Sequence, residues 1–404
     1  MDRNIDFNTA RDLLLSHVSP VTCEHVPLSE SVGRVLADDL RALENVPPFD
    51  RSPYDGYTFR SSDVANASED HPVTLQILEE VPAGAVPTKL ITPMTATKIL
   101  TGAPIPEGAD AVIPYELTSF TSETVTIFAP LESGSNIVRT GEDICKEQLL
   151  ASEGSIIDTG LAGTLAAQGV SEPLVYCRPL VGIISTGNEV VELDTPVAAG
   201  KIRNSNRYTL AAALKNIYCD SLYLGLAGDS PEEIAALITK GLTQCDAILL
   251  TGGVSVGDYD FTPVAMEMAD VKLLMHGINI KPGMACAYGI KNGKLVCGLS
   301  GNPASSLTNF YAVVQPVLKK LSGRNDFIPE EITVILKNEF KKKSPATRLL
   351  RGRLDLSYGN VTLVCPKDQG NVVLSSTIGC NAMGIVPAGS GPLPAGTKLK
   401  GFII

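Results

Sequence analysis

Over residues 7–18, apolar and polar positions recur with helical spacing, which predicts a short amphipathic helix capped by Asp6 or Asn8. From Val46 the texture changes. A turn-rich stretch, PPFDRSPYDGY, precedes short apolar runs at 73–78, 96–100 and 125–128, separated by Pro and Gly, so a small β domain is expected. A helix is expected near 161–168, and a new regime starts at Pro179. There, strand-like runs at 180–185, 221–224, 247–251, 285–288 and 295–298 are interleaved with helical stretches at 208–217 and 231–242 and followed by a long one at 303–321. That alternation implies a mostly parallel sheet covered on both faces. After Gly323 only short strands with Gly and Pro turns are expected.

Composition narrows the function classes. A length of 404 residues suggests about two to four domains. At 44% hydrophobic residues the chain builds real cores, which excludes a disordered protein. With 5% aromatic residues and no Trp, stacking of bases on ring platforms is disfavoured. The net charge of −11 argues against a polyanion binder, and no nucleic-acid partner is expected. The run Lys341-Lys342-Lys343 reads as solvated surface. Nine Cys without a CxxC pair read as reduced thiols rather than a disulfide framework or zinc site. The start, MDRNIDFNTARDLLL, is neither signal peptide nor anchor, and no apolar run reaches membrane-spanning length. A soluble, cytoplasmic protein without a membrane partner is expected.

Candidate chemistry gathers in loops after the α/β strands: Thr186-Gly187-Asn188-Glu189, Gly252-Gly253-Val254-Ser255-Val256-Gly257-Asp258, and Leu299-Ser300-Gly301-Asn302-Pro303. Open α/β sheets bind ligands at such positions, and glycines let backbone N–H groups approach an anion. One such loop would be a tight turn; three at one sheet edge point to a phosphate-bearing ligand. Gly253 to Gly257 also matches the GxSxG nucleophile elbow, but only His276 lies downstream, which weakens a serine hydrolase. Lys281 in Lys281-Pro282-Gly283 is a candidate phosphate contact, and the Walker A pattern is absent. Asp55, Asp143, Glu189, Asp229 and Asp260 stand in turn contexts, where acids commonly cap or turn. Around an anion they require a bridging cation, for which Mg²⁺ suits better than a His/Cys zinc centre.

Longer motifs carry a resemblance. Phe49-Asp50-Arg51-Ser52-Pro53-Tyr54-Asp55-Gly56-Tyr57, the stretch from Thr101-Gly102-Ala103-Pro104 to Val112, Arg139-Thr140-Gly141-Glu142-Asp143-Ile144, Ser185 to Glu189, and Gly252 to Gly257 occur in one order along the whole chain. Together they resemble the molybdopterin molybdenumtransferases of the MoeA and gephyrin E-domain type. The resemblance implies a multidomain α/β plus β fold. Residues 1–44 and 145–176 would form an elongated helical N-terminal piece, 45–144 an inserted β domain, 177–325 a three-layer α/β molybdopterin-binding domain, and 326–404 a C-terminal β barrel. It also implies a homodimer whose cleft lies between the α/β domain of one subunit and the inserted domain of the other, with molybdopterin adenylyltransferase as upstream partner.

The implied reaction inserts molybdate into adenylylated molybdopterin and releases AMP. By the same resemblance Asp55, Thr101, Asp143, Glu189, Asp229 and Asp260 are catalytic, with Glu189, Asp229 and Asp260 holding Mg²⁺. Thr186, Gly187, Gly252, Gly253, Ser255, Lys281, Pro282, Gly301, Asn302 and Pro303 bind the pterin substrate. The chain departs from the family at Met284 and Gly277, where basic residues are usual, at Ser300 for a proline, and at Asn188 for a carboxylate. Two of these remove positive charge, so the alternative is a molybdopterin-binding paralogue or scaffold with weak or no turnover.

Overall fold

The computed structural model describes residues 2–254 and 261–404. The chain forms two compact units, one of Met1–Asp38, Glu153–Ala162 and Glu172–Ile404, the other of Asp39–Ser152 and Gly163–Ser171.

The larger unit is built on a seven-stranded sheet. Four parallel strands stand side by side in the order Lys294–Leu299, Ala247–Thr251, Leu180–Thr186 and Asp220–Ala227. Ala247–Thr251 is buried at every position, as a strand covered on both faces must be. Alternation sorts the side chains. Ile183 and Leu249 join the core beneath helices Phe7–Leu15 and Ser205–Lys215 and residues 303–321, while Ile184, Ile248 and Leu250 join the core beneath helices Pro231–Gln244 and Phe261–Met268. These are the three expected layers. Helix Pro231–Gln244 starts where Ser230 accepts from the Glu233 N–H at 3.3 Å and Pro231 takes the first turn. Among the described strands of this sheet, Cys286–Lys291 alone runs against the rest.

The N-terminal piece differs from expectation. Asp2–Ile5 pairs in parallel with Lys272–Ile278 at the sheet edge, and Phe7, Ala10 and Leu14 are buried in the α/β core. An apolar helical stripe needs a surface to cover, and the sheet supplies it. The rest of that piece is mostly irregular, with two-stranded pairs (Leu40–Arg41 with Leu149–Ala151, Cys23–His25 with Leu174–Tyr176) and one helix, Thr159–Ala167. The long helix expected over 303–321 is also broken, into Pro303–Asn309, a π-helical turn at Phe310–Val314, and Gln315–Leu321. Pro316 has no N–H to donate and its ring crowds the carbonyl four residues back, so the preceding turn widens.

After residue 330, Thr347–Asp355 pairs with both Thr362–Val364 and Ala382–Val386, closing a five-stranded barrel as expected. The boundary at 325/326 divides topology but not packing. Ile280–Lys281 adds to the barrel strand Thr347–Asp355, and Leu349, Met383 and Phe402 enter the α/β core.

The smaller unit is a six-stranded sheet in the order Ala111–Pro114, Gly56–Phe59, Thr95–Ile99, Val73–Val81, Thr124–Ile127 and Thr118–Phe120. Its two outermost strands are joined by the turn Tyr115–Leu117. Such a link spans at most about 14 Å, whereas six flat strands would separate their edges by about 24 Å. The sheet therefore rolls up around Tyr57, Phe59, Leu75, Ala96, Val125 and Ile127.

Candidate functional site

Three loops leave the sheet at one level. Ser185 pairs with Thr251 and Thr251 with Leu299, so the turns after these strands open side by side. The chain passes from Leu180–Thr186 to a neighbour on one side and then to Ala247–Thr251 on the other, which makes this the topological switch point of the sheet. A cleft of about 490 Å³ lies there, and Thr186, Glu189, Gly252, Gly253, Gly301 and Asn302 are among its walls.

Backbone approach explains the glycines. Gly252 has φ +101°, and a Cβ there would lie 2.4 Å from Thr186 Oγ1, so no side chain fits. Its N–H donates to the Leu299 carbonyl at 3.0 Å, while Thr186 Oγ1 donates to the Thr251 carbonyl at 3.1 Å. Ser300 accepts from the Asn302 N–H at 3.2 Å and fixes that loop.

The far wall was missed in the sequence. Asn204 caps helix Ser205–Lys215, accepting from the Arg207 N–H at 3.3 Å and the Ser185 hydroxyl at 3.0 Å. Its amide donates to Glu192 at 3.1 Å, and Glu192 also accepts from the Tyr223 hydroxyl at 2.6 Å and from Arg207 at 2.8 Å. Burial opposes the charge on Glu192, but these donors outweigh it and hold its carboxyl below the usual range. Burial first, then the Glu192 carboxylate, pushes the Tyr223 phenol up to about 12. Asn206 donates to the Gly301 carbonyl at 2.8 Å, tying two walls together. Arg203 adds a cation to the lining. The signal was the run Arg203-Asn204-Ser205-Asn206, an Asn cap directly before a helical stretch.

A second cavity, of about 360 Å³, shares Ala285, Ser300 and Asn302 with the first. Lys281 and Pro282 belong here rather than in the main cleft, because Ile280–Lys281 pairs with the barrel strand and turns away from the glycine loops. Lys342 and Arg348 of the barrel join them, and Met284 lies on the same wall. Lys342, expected to be plain surface, thus faces a cavity together with two other cations. The Gly283 carbonyl is held by Asn309 at 2.9 Å.

The acids do not form one cluster. Glu189 lines the cleft; its backbone carbonyl accepts from the Ile202 N–H at 2.8 Å, and its carboxylate has no hydrogen bond or ion pair among the described residues. Asp229 lies outside the cleft lining; its carboxylate accepts from the Asn188 N–H at 3.4 Å and its own N–H donates to the Asn188 side-chain carbonyl at 3.3 Å, and an amide at 188 adds no charge beside it. Asp260 and Ser255 lie outside the described residues. No group of three His, Cys, Asp or Glu fit to hold a metal occurs among the described residues. In the smaller unit Asp55 accepts from the Thr101 N–H at 2.7 Å and its hydroxyl at 2.9 Å, which keeps its carboxyl below the usual range. Asp143 is exposed. The hydrolase reading turns on Ser255, which lies outside the described residues; His276 stands on a strand three places from Ala247–Thr251. Among the described residues no helix is long and apolar enough to cross a membrane.

With this geometry in place, comparisons are informative. Residues 5–169 match the family description "MoeA N-terminal region (domain I and II)" and residues 182–320 match "Probable molybdopterin binding domain". The chain is 35% identical over 387 residues to a molybdopterin molybdenumtransferase of Bacillus subtilis, covering 94% of this chain and 90% of that protein. A Staphylococcus epidermidis protein of the same name is 33% identical, with 92% and 89% covered. A crystal structure of a molybdopterin biosynthesis MoeA protein from Pyrococcus horikoshii superimposes with a TM-score of 0.85 at 30% identity, covering 99% of each chain.

Proposed function

We propose, from the premise that the chain belongs to the MoeA-type family of molybdopterin molybdenumtransferases, that the glycine-loop cleft binds adenylylated molybdopterin and the adjoining basic cavity binds molybdate. The protein is a transferase of molybdenum cofactor biosynthesis, inserting molybdate into adenylylated molybdopterin with release of AMP. One observation carries the assignment to two cavities: the glycine-lined cleft at the sheet's switch point shares Ala285, Ser300 and Asn302 with a pocket lined by Lys281, Lys342 and Arg348.

The chemistry follows from the walls. Backbone N–H groups beside Gly252 and Gly253 cradle phosphate or pterin without adding charge. Three cations suit a doubly charged tetrahedral oxyanion, and their convergence offsets the lysine absent at Met284. This favours turnover over the scaffold alternative. Shared walls at Ala285, Ser300 and Asn302 bring oxyanion and dithiolene together.

Glu189, an unpartnered carboxylate in the cleft wall, would hold Mg²⁺, with Asp229 and Asp260 as further ligands, and the ion would supply Lewis-acid polarisation of the phosphoanhydride. We further propose a cytoplasmic homodimer in which Asp55, Thr101 and Asp143 of one subunit complete the cleft of the other, supplied by an upstream adenylyltransferase.

The direct test incubates the protein with adenylylated molybdopterin, Mg²⁺ and molybdate and measures AMP. Molybdate-dependent release is expected; its absence would overturn the assignment. Mixing two inactive variants, Glu189→Gln and Asp143→Ala, tests the shared cleft. Recovery of part of the activity is expected only if subunits exchange residues.

A further inference from the structure

Two polar side chains are buried where the α/β core is otherwise apolar. Tyr288, on strand Cys286–Lys291, and Asn309, at the end of helix Pro303–Asn309, are both fully enclosed, in a region whose core includes Ile278, Ile280, Leu307 and Phe310. Burying a phenol and an amide is costly unless their bonds are made, and an apolar pair of the same shape would pack as well. Here the bonds run in one direction. The Tyr288 hydroxyl donates to Asn309 Oδ1, which fixes the orientation of the amide, and Asn309 Nδ2 donates to the Gly283 carbonyl at 2.9 Å. Burial, and then the neighbouring Cys286, pushes the Tyr288 phenol well above its usual range, so the hydroxyl keeps the proton it donates.

This relay ends at the turn that carries Lys281. Met284 is pinned from both sides, the peptide before it by Asn309 and its own carbonyl by the Ile278 N–H at 3.1 Å. Gly283 permits the turn with φ +110°, which side chains rarely adopt. The Gly283–Met284 peptide is trans, so a carbonyl turned into the core turns the Met284 N–H the opposite way. That N–H has no hydrogen-bond partner among the described residues, and Met284 lines the basic cavity together with Lys281, Lys342 and Arg348.

We propose that Asn309 and Tyr288 are positioning residues for oxyanion binding, which hold the Met284 backbone N–H toward the basic cavity as a donor to one oxygen of molybdate. The proposal rests on the reading of that cavity as the molybdate site. It accounts for an anion site at a residue whose side chain carries no charge: a backbone donor fixed in place contributes a charge-assisted bond without ordering a long side chain.

The test uses the full chain. Molybdate-dependent AMP release gives kcat and both KM values, and calorimetry with molybdate alone gives its dissociation constant. For Asn309→Leu, which frees the Gly283 carbonyl, the KM and dissociation constant for molybdate should rise about tenfold, the effect of one hydrogen bond to a charged group. The kcat and the KM for adenylylated molybdopterin should change less than about twofold, as for a lost ground-state contact. Tyr288→Phe loses only a hydroxyl, keeps the fold, and should show the same split at about threefold. Unchanged molybdate binding in either variant, no molybdate binding by the native chain, or KM values that rise together for both substrates would each overturn the proposal, since a merely structural role would loosen both cavities alike. Weaker molybdate binding in the variants, with no AMP released even by the native chain, would overturn the reading of the reaction and leave the positioning role standing.

Discussion

The acids of the smaller unit and the acid of the α/β cleft look alike in sequence, since both stand in Gly-rich turns. In the smaller unit Asp50 accepts from the Thr140 N–H at 2.7 Å, its hydroxyl at 2.9 Å and Arg139 at 2.7 Å, and Asp110 accepts from the Ser61 N–H at 2.6 Å and its hydroxyl at 2.8 Å. These carboxylates are fasteners. Glu189 has no such donor and faces the cleft. Residue type and turn context therefore do not separate a structural acid from a chemical one; what separates them is whether backbone N–H groups already saturate the oxygens.

Four substitutions test this contrast. Glu189→Gln should cost the most in activity and nothing in folding. We expect kcat/KM for molybdate-dependent AMP release to fall about a hundredfold or more, with the melting temperature unmoved. A drop in melting temperature would place Glu189 among the fasteners.

Gly252→Ala comes next. Positive φ and a Cβ 2.4 Å from Thr186 Oγ1 combine strain with overlap. A stability loss of about 2–4 kcal/mol in urea unfolding is expected, together with a narrowed cleft.

Asp50→Asn should show the reverse of Glu189→Gln. The Thr140 backbone N–H, followed by Arg139, holds the Asp50 carboxyl below the usual range. A depressed folded pKa means stability that is present above the unfolded value of about 3.9 and is lost as pH falls through the folded value. The variant should therefore be less stable than the native chain by about 1 kcal/mol at pH 7, a modest figure because the carboxylate is partly exposed, with the gap narrowing as pH falls through the folded value. Urea midpoints across an acid titration measure this, and a gap that does not narrow would contradict it.

Met284→Lys is the smallest. With Lys281, Lys342 and Arg348 already lining the cavity, a fourth cation should lower the KM for molybdate by less than about threefold. A much larger gain would mean that the basic cavity is incomplete as it stands.

Much of this architecture could be read from the chain. Alternating strands and helices after Pro179 gave the layered sheet, because a doubly buried parallel strand can only be written as a continuous apolar run, as in Ala247–Thr251. The three glycine loops were likewise legible, since few residues besides Gly turn that sharply after a strand. The edge strand Asp2–Ile5 was not, because a lone four-residue segment acquires meaning only from the strand it pairs with. Arg203 and Asn204 were also missed; their roles come from Ser185, Glu192 and Tyr223, contacts remote in sequence.

The sequence by itself determined the element types, the order of the motifs and the family, all of which depend on local periodicity and on turn chemistry. The tertiary structure alone decided which charges matter. It set Lys342 and Arg348 beside Lys281, engaged both carboxylate oxygens of Asp50 but only one of Asp55, and left the Glu189 carboxylate bare. Charge acts through space at short range, and distances between residues far apart in the chain exist only once it has folded.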